Sequence, residues 1–141
     1  MVDVSGKDVT ARSARATGRL RTTPEAVAAL RENALAKGDA LAAARIAGIM
    51  AAKRTPDLVP LCHPIAISAV EVDLAVTGDG VDIEARVRTA DRTGVEMEAL
   101  TAVSVAALTL VDMVKAVDPA ARITDIQVEE KLGGKTGAWQ R

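Results

Sequence analysis

Asp112 and Lys115 stand one helical turn apart at the end of a stretch with no charge from Ala99 to Val111, and Glu96 and Glu98 stand at its beginning. A carboxylate and an ammonium at i and i+3 on a helix can orient each other and move protons, which is acid–base chemistry. The fourteen-residue step from Glu98 to Asp112 returns to within about 40° of the same helix face, but at about 1.5 Å per residue it separates the carboxylates by roughly 21 Å. That is too far for one small reacting centre in one chain. Antiparallel pairing of the stretch with a second copy, about a two-fold axis near Val105, would bring Glu98 of one chain to Asp112 of the other. Ala102, Ser104 and Ala106 would permit the close approach. The sequence therefore predicts a two-fold dimer with sites built from both subunits. The plainer alternative leaves Glu96 and Glu98 complementing the helix dipole and Asp112 paired with Lys115.

His63 is the only histidine, and it lies in Lys53-Arg54-Thr55-Pro56-Asp57-Leu58-Val59-Pro60-Leu61-Cys62-His63-Pro64. Three prolines in nine residues forbid a helix and hold the segment extended, and Pro64 restricts His63 in particular, so a rigid loop can position the ring. An unperturbed imidazole titrates near pH 6.5, suited to proton transfer or to a hydrogen bond to phosphate. Cys62 is the only cysteine. Adjacent side chains on an extended segment point to opposite sides, which disfavours a thiolate–imidazolium pair, and one Cys with one His falls short of a zinc ligand set. Cys62 is read as packing or substrate contact.

Lys131-Leu132-Gly133-Gly134-Lys135-Thr136-Gly137 is not a P-loop, because Glu129 stands where that motif needs glycine and no room remains for the following helix. The segment reads as a disordered terminus, or as a flexible tail whose two lysines could close over an anion. Arg15, Arg19 and Arg21 form one basic strand face, open to a phosphate or simply solvated.

These residues need elements to position them. A strand is predicted from Ala14 to Leu20. A helix starts at Thr23-Pro24-Glu25 and runs to about Leu35, and a second, alanine-rich helix capped by Asp39 spans Ala40 to Arg54. Val70 to Val76 and Val81 to Val87 alternate with charged residues about Thr77-Gly78-Asp79-Gly80, the pattern of an antiparallel hairpin with one buried face. The Ala99–Val111 stretch predicts a long helix buried nearly all round, and a strand follows within Arg122–Leu132. This order fits an α+β fold, a ferredoxin-like four-stranded antiparallel sheet with helices on one face and one added helix.

At 141 residues the chain is expected to be one domain. Hydrophobic residues make up 49%, yet Trp139 is the only aromatic, so the core is small aliphatic and oligomerisation is expected. A net charge of −1 with no stacking platform argues against nucleic-acid binding. A single cysteine, no signal-peptide pattern and no uninterrupted apolar run near 20 residues imply a soluble cytoplasmic protein without a membrane span.

Lys37-Gly38-Asp39, Ala44-Arg45-Ile46-Ala47-Gly48, Ala51-Ala52-Lys53-Arg54-Thr55, Leu61-Cys62-His63-Pro64, Thr93 to Ala102, Asp112-Met113 with Lys115, and Gly133 to Gly137 together resemble the cyclic pyranopterin monophosphate synthase family of molybdenum-cofactor biosynthesis, across essentially the whole chain. The resemblance implies an enzyme that takes the 3′,8-cyclised dihydroguanosine triphosphate made from GTP by a radical SAM partner, closes a cyclic phosphate on a pyranopterin and expels diphosphate. It implies Asp112 as acid/base residue, Lys115 as its catalytic partner, and Lys37 and Lys131 beside the substrate. Leu61, Cys62, His63, Met97 and Glu98 match substrate-binding segments, and Glu96 completes the acidic edge. It further implies a hexamer of three dimers with sites at the dimer interface and no resident cofactor, magnesium with the triphosphate being left open. The chain departs from the family at Val111, where an aromatic residue is common, and relatives often carry residues before the segment matching Met1. The alternatives are a non-catalytic nucleotide-binding regulatory oligomer and a zinc-dependent GTP cyclohydrolase, the latter disfavoured by the shortage of Cys and His.

Overall fold

The computed structural model describes all 141 residues. In chain order the elements are β1 (Thr10–Arg21), α1 (Pro24–Arg31), α2 (Ala40–Ala52), α3 (Thr55–Leu58), β2 (Ile67–Val76), β3 (Gly80–Asp91), α4 (Glu96–Val114), β4 (Arg122–Leu132) and β5 (Trp139–Gln140). They form one antiparallel sheet of order β2-β3-β1-β4-β5. The first four strands have the expected ferredoxin-like arrangement, with β1 central and β3 and β4 on either side.

Alternation in the strands makes one face apolar. Ala14, Ala16 and Leu20 of β1 and Val81, Ile83, Ala85 and Val87 of β3 are buried, and α4 lies across β1, β3 and β4 above them. The helix layer is thin because its contact residues are small. A Cβ on Gly48 of α2 would lie 2.9 Å from the Ala102 carbonyl oxygen of α4, so glycine is what lets the two helices approach. On the opposite face of the sheet, Arg15 pairs with Glu84 at 3.1 Å and Arg19 with Asp82 at 3.1 Å, while Arg21 pairs with Asp79. The basic strand face is therefore neutralised by its neighbours.

Several boundaries differ from the sequence expectation. Helix α1 stops at Arg31, short of Leu35, because Asn33 takes a left-handed φ of 50°. The Ala34 and Asn33 amides then donate back to the Ala29 and Leu30 carbonyls, a Schellman ending. Helix α2 ends at Ala52, two residues early. The proline-rich segment is not wholly extended but opens with one helical turn, α3, which tolerates Pro56 in its first turn, where no intrahelical N–H hydrogen bond is lost. Strand β1 begins at Thr10, four residues early, since it is paired along its length to β3. The glycine-rich end folds back as β5, with Lys131 opposite Trp139 and the Arg141 amide donating to the Glu129 carbonyl, so the sheet has five strands.

Helix α4 is not buried all round: Leu108 is 60% exposed, and Ser104, Val105 and Thr109 are partly exposed. Its 19 residues, with a mean hydropathy of 1.7 in the most apolar window, are long and apolar enough to cross a membrane by length and composition alone, but Glu96, Glu98 and Asp112 interrupt the apolar run and half of that window is buried inside the fold. In this fold it is the central core helix, with Ala99, Ala102, Val103, Ala106, Ala107 and Leu110 fully buried.

Candidate active site

The turn between α1 and α2 carries Lys37 to the C-terminal end of α4. Its Nζ donates to Asp112 Oδ2 at 2.6 Å and to the Asp112 carbonyl oxygen at 3.1 Å. Lys115, the C-terminal cap of α4, places its Nζ 2.6 Å from Asp112 Oδ1. Hydrogen bonds from Lys115 and then Lys37 lower the Asp112 carboxyl to a pKa of about 2. A carboxylate so clamped is a weak base and a strong orienting counter-ion, which leaves the proton-donating part to the ammonium groups.

The other end of α4 is built differently. Glu98 is 1% exposed, and the Cys62 thiol donates to its Oε1 at 3.7 Å. Its Oε2 is buried with no hydrogen-bond partner. Burial pushes the Glu98 carboxyl up, with the Glu96 charge adding to it, so the dipole-complementing role expected for Glu98 gives way to desolvation. Burial, followed by the Glu98 charge, also pushes the Cys62 thiol up, which keeps it protonated and non-nucleophilic. Leu61 and Met97, 70% and 40% exposed, stand beside this pair in sequence. His63 points elsewhere, its Nε2 lying 2.8 Å from the Val2 carbonyl oxygen.

Between the start of α4 and the glycine-rich turn lies a cleft of about 180 Å³, lined by Lys7, Arg12, Thr93, Glu96, Lys131 and Thr136 among others. Lys131 Nζ is 3.4 Å from Glu96 Oε1. Arg12 Nε donates to the Asp91 carbonyl oxygen at 3.0 Å, and the rest of its guanidinium lies against Gly134. Gly133 and Gly134 take φ of 89° and 76°, so a side chain at either would strain the backbone and strike Ala11 or Arg12. A wider hollow of about 690 Å³ continues past Thr10 to Lys135. The Thr10 hydroxyl is buried without a partner. Lys7, Arg12, Lys131 and Lys135 around the glycine turn outnumber the carboxylates of Glu96 and Asp8 there, a net positive setting that suits an anion with several charged oxygens.

The fold thus assembles Lys37, Asp112 and Lys115, joins Cys62 to Glu98, and joins Glu96 to Lys131. It does not bring these groups into one site within a chain, because Glu98 and Asp112 remain at opposite ends of α4. Lys7 and Arg12 were missed in the sequence: Arg12 lies before the predicted strand, and only the pairing of β1 with β4 sets it beside the glycine turn. A separate hollow of about 680 Å³ on the open sheet face, lined by Arg19, Asp73, Asp82, Glu84, Asp125 and Glu129 among others, holds Arg19 of the basic strand face but is dominated by carboxylates and contains none of the residues of the α4 ends or of the glycine turn.

The sequence model of the MoaC family matches residues 1–134. Among curated relatives, the cyclic pyranopterin monophosphate synthase of Streptomyces coelicolor is 70% identical over 141 residues, covering all of this chain and 83% of the relative. That of Nocardioides sp. is 67% identical over 144 residues, covering all of this chain and 88% of the relative. Cyclic pyranopterin monophosphate synthase 2 of Mycobacterium tuberculosis is 60% identical over 141 residues, again covering the whole chain and 84% of the relative.

Proposed function

The chain belongs to the MoaC family, lyases of molybdenum-cofactor biosynthesis that make cyclic pyranopterin monophosphate, and from that premise we propose how its residues do so. The substrate is the 3′,8-cyclised dihydroguanosine triphosphate, supplied from GTP by a radical SAM cyclase. The product is cyclic pyranopterin monophosphate, with diphosphate released. The observation that carries this assignment is the Lys37–Asp112–Lys115 cluster, a carboxylate held ionised between two ammonium groups at 2.6 Å each.

In this reading Lys115 is the general acid, oriented by Asp112, and Lys37 holds the other carboxylate oxygen. Closing the cyclic phosphate forms a bond from a sugar-derived hydroxyl to the α-phosphorus and breaks the bond to diphosphate, whose oxygen leaves with the electron pair and takes up the proton released by the hydroxyl. The charge developing there is met by Lys131, Lys7, Arg12 and Lys135. The Leu61-Cys62-His63 loop, Met97 and Glu98 bind the purine-derived part, with Glu96 at the boundary. No resident cofactor is assigned, and magnesium could travel with the triphosphate.

One domain spanning residues 1–141 forms two-fold dimers, assembled three to a hexamer in the cytoplasm. The exposed side of α4 with Ser104 and Leu108 supports the pairing, as does the separation of Glu98 from Asp112 within one chain, although Ala102 and Ala106, expected at the seam, are buried against α2 inside each chain. Each site then takes Asp112 and its lysines from one subunit and the Glu98 end from the other.

Diphosphate release and pterin formation by metal-stripped protein, given GTP or the cyclised dihydro-GTP, test this assignment. Turnover of the cyclised substrate alone, abolished by Asp112→Ala, is expected. Binding without turnover by an intact oligomer would instead favour a regulatory nucleotide-binding module.

A further inference from the structure

Glu96 is the one carboxylate in a cleft otherwise lined by cations, hydroxyls, glycines and Leu132. Its Oε1 lies 3.4 Å from Lys131 Nζ, while its carboxylate folds back over Gly94, where even a Cβ would collide with it. Residue 94 must therefore be glycine for Glu96 to hold this pose. The side chains of Glu96 and Lys131 are 29% and 35% exposed, so water and an incoming anion can reach the pair. A partly exposed pair at this distance is weakly bound and exchangeable.

We propose that Glu96 is a resident counter-ion of this cleft, occupying Lys131 in the free protein and yielding it to the polyphosphate chain of the ligand. This rests on the reading of the cleft as the polyphosphate seat. An entering anion must displace the Glu96 carboxylate from Lys131, and the displaced carboxylate then stands close to the bound oxygens and repels them. Glu96 thereby lowers affinity for any polyphosphate and speeds departure of the diphosphate product. The lysines retain the ability to bind, but diphosphate does not remain as an inhibitor.

Binding of inorganic tripolyphosphate to the intact oligomer, measured by calorimetry at low ionic strength, tests this without turnover. Glu96→Gln keeps the shape and removes the charge, and is expected to bind about five- to tenfold tighter than the parent protein, with the gain shrinking as salt is added. Gly94→Ala, which forces Glu96 out of its pose, should also tighten binding. Lys131→Ala should weaken it about tenfold, and in the Glu96→Gln/Lys131→Ala pair much of the Gln gain should disappear. Unchanged or weaker binding by Glu96→Gln, while Lys131→Ala and Arg12→Ala still weaken it, would overturn the counter-ion role and leave the cleft as the polyphosphate seat. No weakening by either Lys131→Ala or Arg12→Ala would remove the seat, and the counter-ion role with it. Thermal unfolding of each variant verifies that the fold persists.

Discussion

Lys37 Nζ lies 2.6 Å from Asp112 Oδ2, although 75 residues separate the two in the chain. The contact exists because the Schellman ending of α1 at Asn33 turns the chain back early, and Asp39 then caps α2 through the Ala42 amide. The segment between these two caps is aimed at the end of α4. Lys115 closes the other side of the same carboxylate.

Asp112→Asn and Lys115→Ala should each lower turnover by about 10²- to 10⁴-fold, the usual range for a positioned acid–base group. Melting temperature should change little, since half-exposed ion pairs contribute little to stability. Diphosphate release and a thermal melt on the same preparations separate the two effects. Near-normal turnover of Lys115→Ala in a folded oligomer would remove it as the general acid.

The pH dependence of Asp112 has a definite sign. Its folded value of about 2 is below the ordinary 3.8, so its contribution to stability is complete above 3.8 and is lost as pH falls toward 2. A carboxyl-carbon NMR titration should show Asp112 ionised throughout the range where the enzyme works. A midpoint at or above 3.8 would contradict the clamp by the two lysines.

Glu98 has the opposite sign. Burial raises its folded value above the ordinary 4.5, so the contribution is present below 4.5 and is lost as pH rises through the folded value. Glu98→Gln has no charge to bury and keeps an acceptor for the Cys62 thiol. It should therefore melt higher than the parent at pH 8, with the difference shrinking near pH 4, while turnover falls if Glu98 contacts the substrate as proposed. Equal melting temperatures at pH 8 would show that the carboxylate is solvated and not desolvated as its burial implies.

Mixing two inactive variants tests the composite site. If Asp112 and Glu98 of one site come from different subunits, refolding Asp112→Ala with Glu98→Ala at equal ratio should restore about a quarter of full activity, because half the dimers are mixed and each mixed dimer keeps one intact site of two. No recovery, with mixed dimers demonstrated by mass, would place each site within one chain.

Gly48→Val should cost about 1–3 kcal/mol in chemical denaturation, because the added atoms meet the Ala102 carbonyl, Ala106 and Val72. An unaffected midpoint would mean that α2 and α4 can separate without loss.

The hairpin of β2 and β3, the strand β4 and the core role of α4 were legible because each is written in local periodicity: alternation of Val70, Val72 and Leu74, then of Val81, Ile83 and Ala85, and the charge-free run from Ala99 to Val111. The pairing of Asp112 with Lys115 was legible for the same reason, as a one-turn spacing. Boundaries were less so. Asn33 ends α1 because asparagine tolerates the left-handed conformation, and Pro56, a helix breaker in an interior, fits the first turn of α3. What only the tertiary structure decided are the long-range contacts: Lys37 with Asp112, Cys62 with a buried Glu98, and Arg12 with the glycine turn. These depend on strand register and on the packing of α2 against α4, and no residue's type or near neighbours state which distant segment it will meet. The fate of the arginines on β1 makes the point. By type Arg12, Arg15 and Arg19 are equivalent, yet the register sets Arg19 opposite Asp82 and Arg15 diagonal to Glu84 of β3, and leaves Arg12 at the cleft.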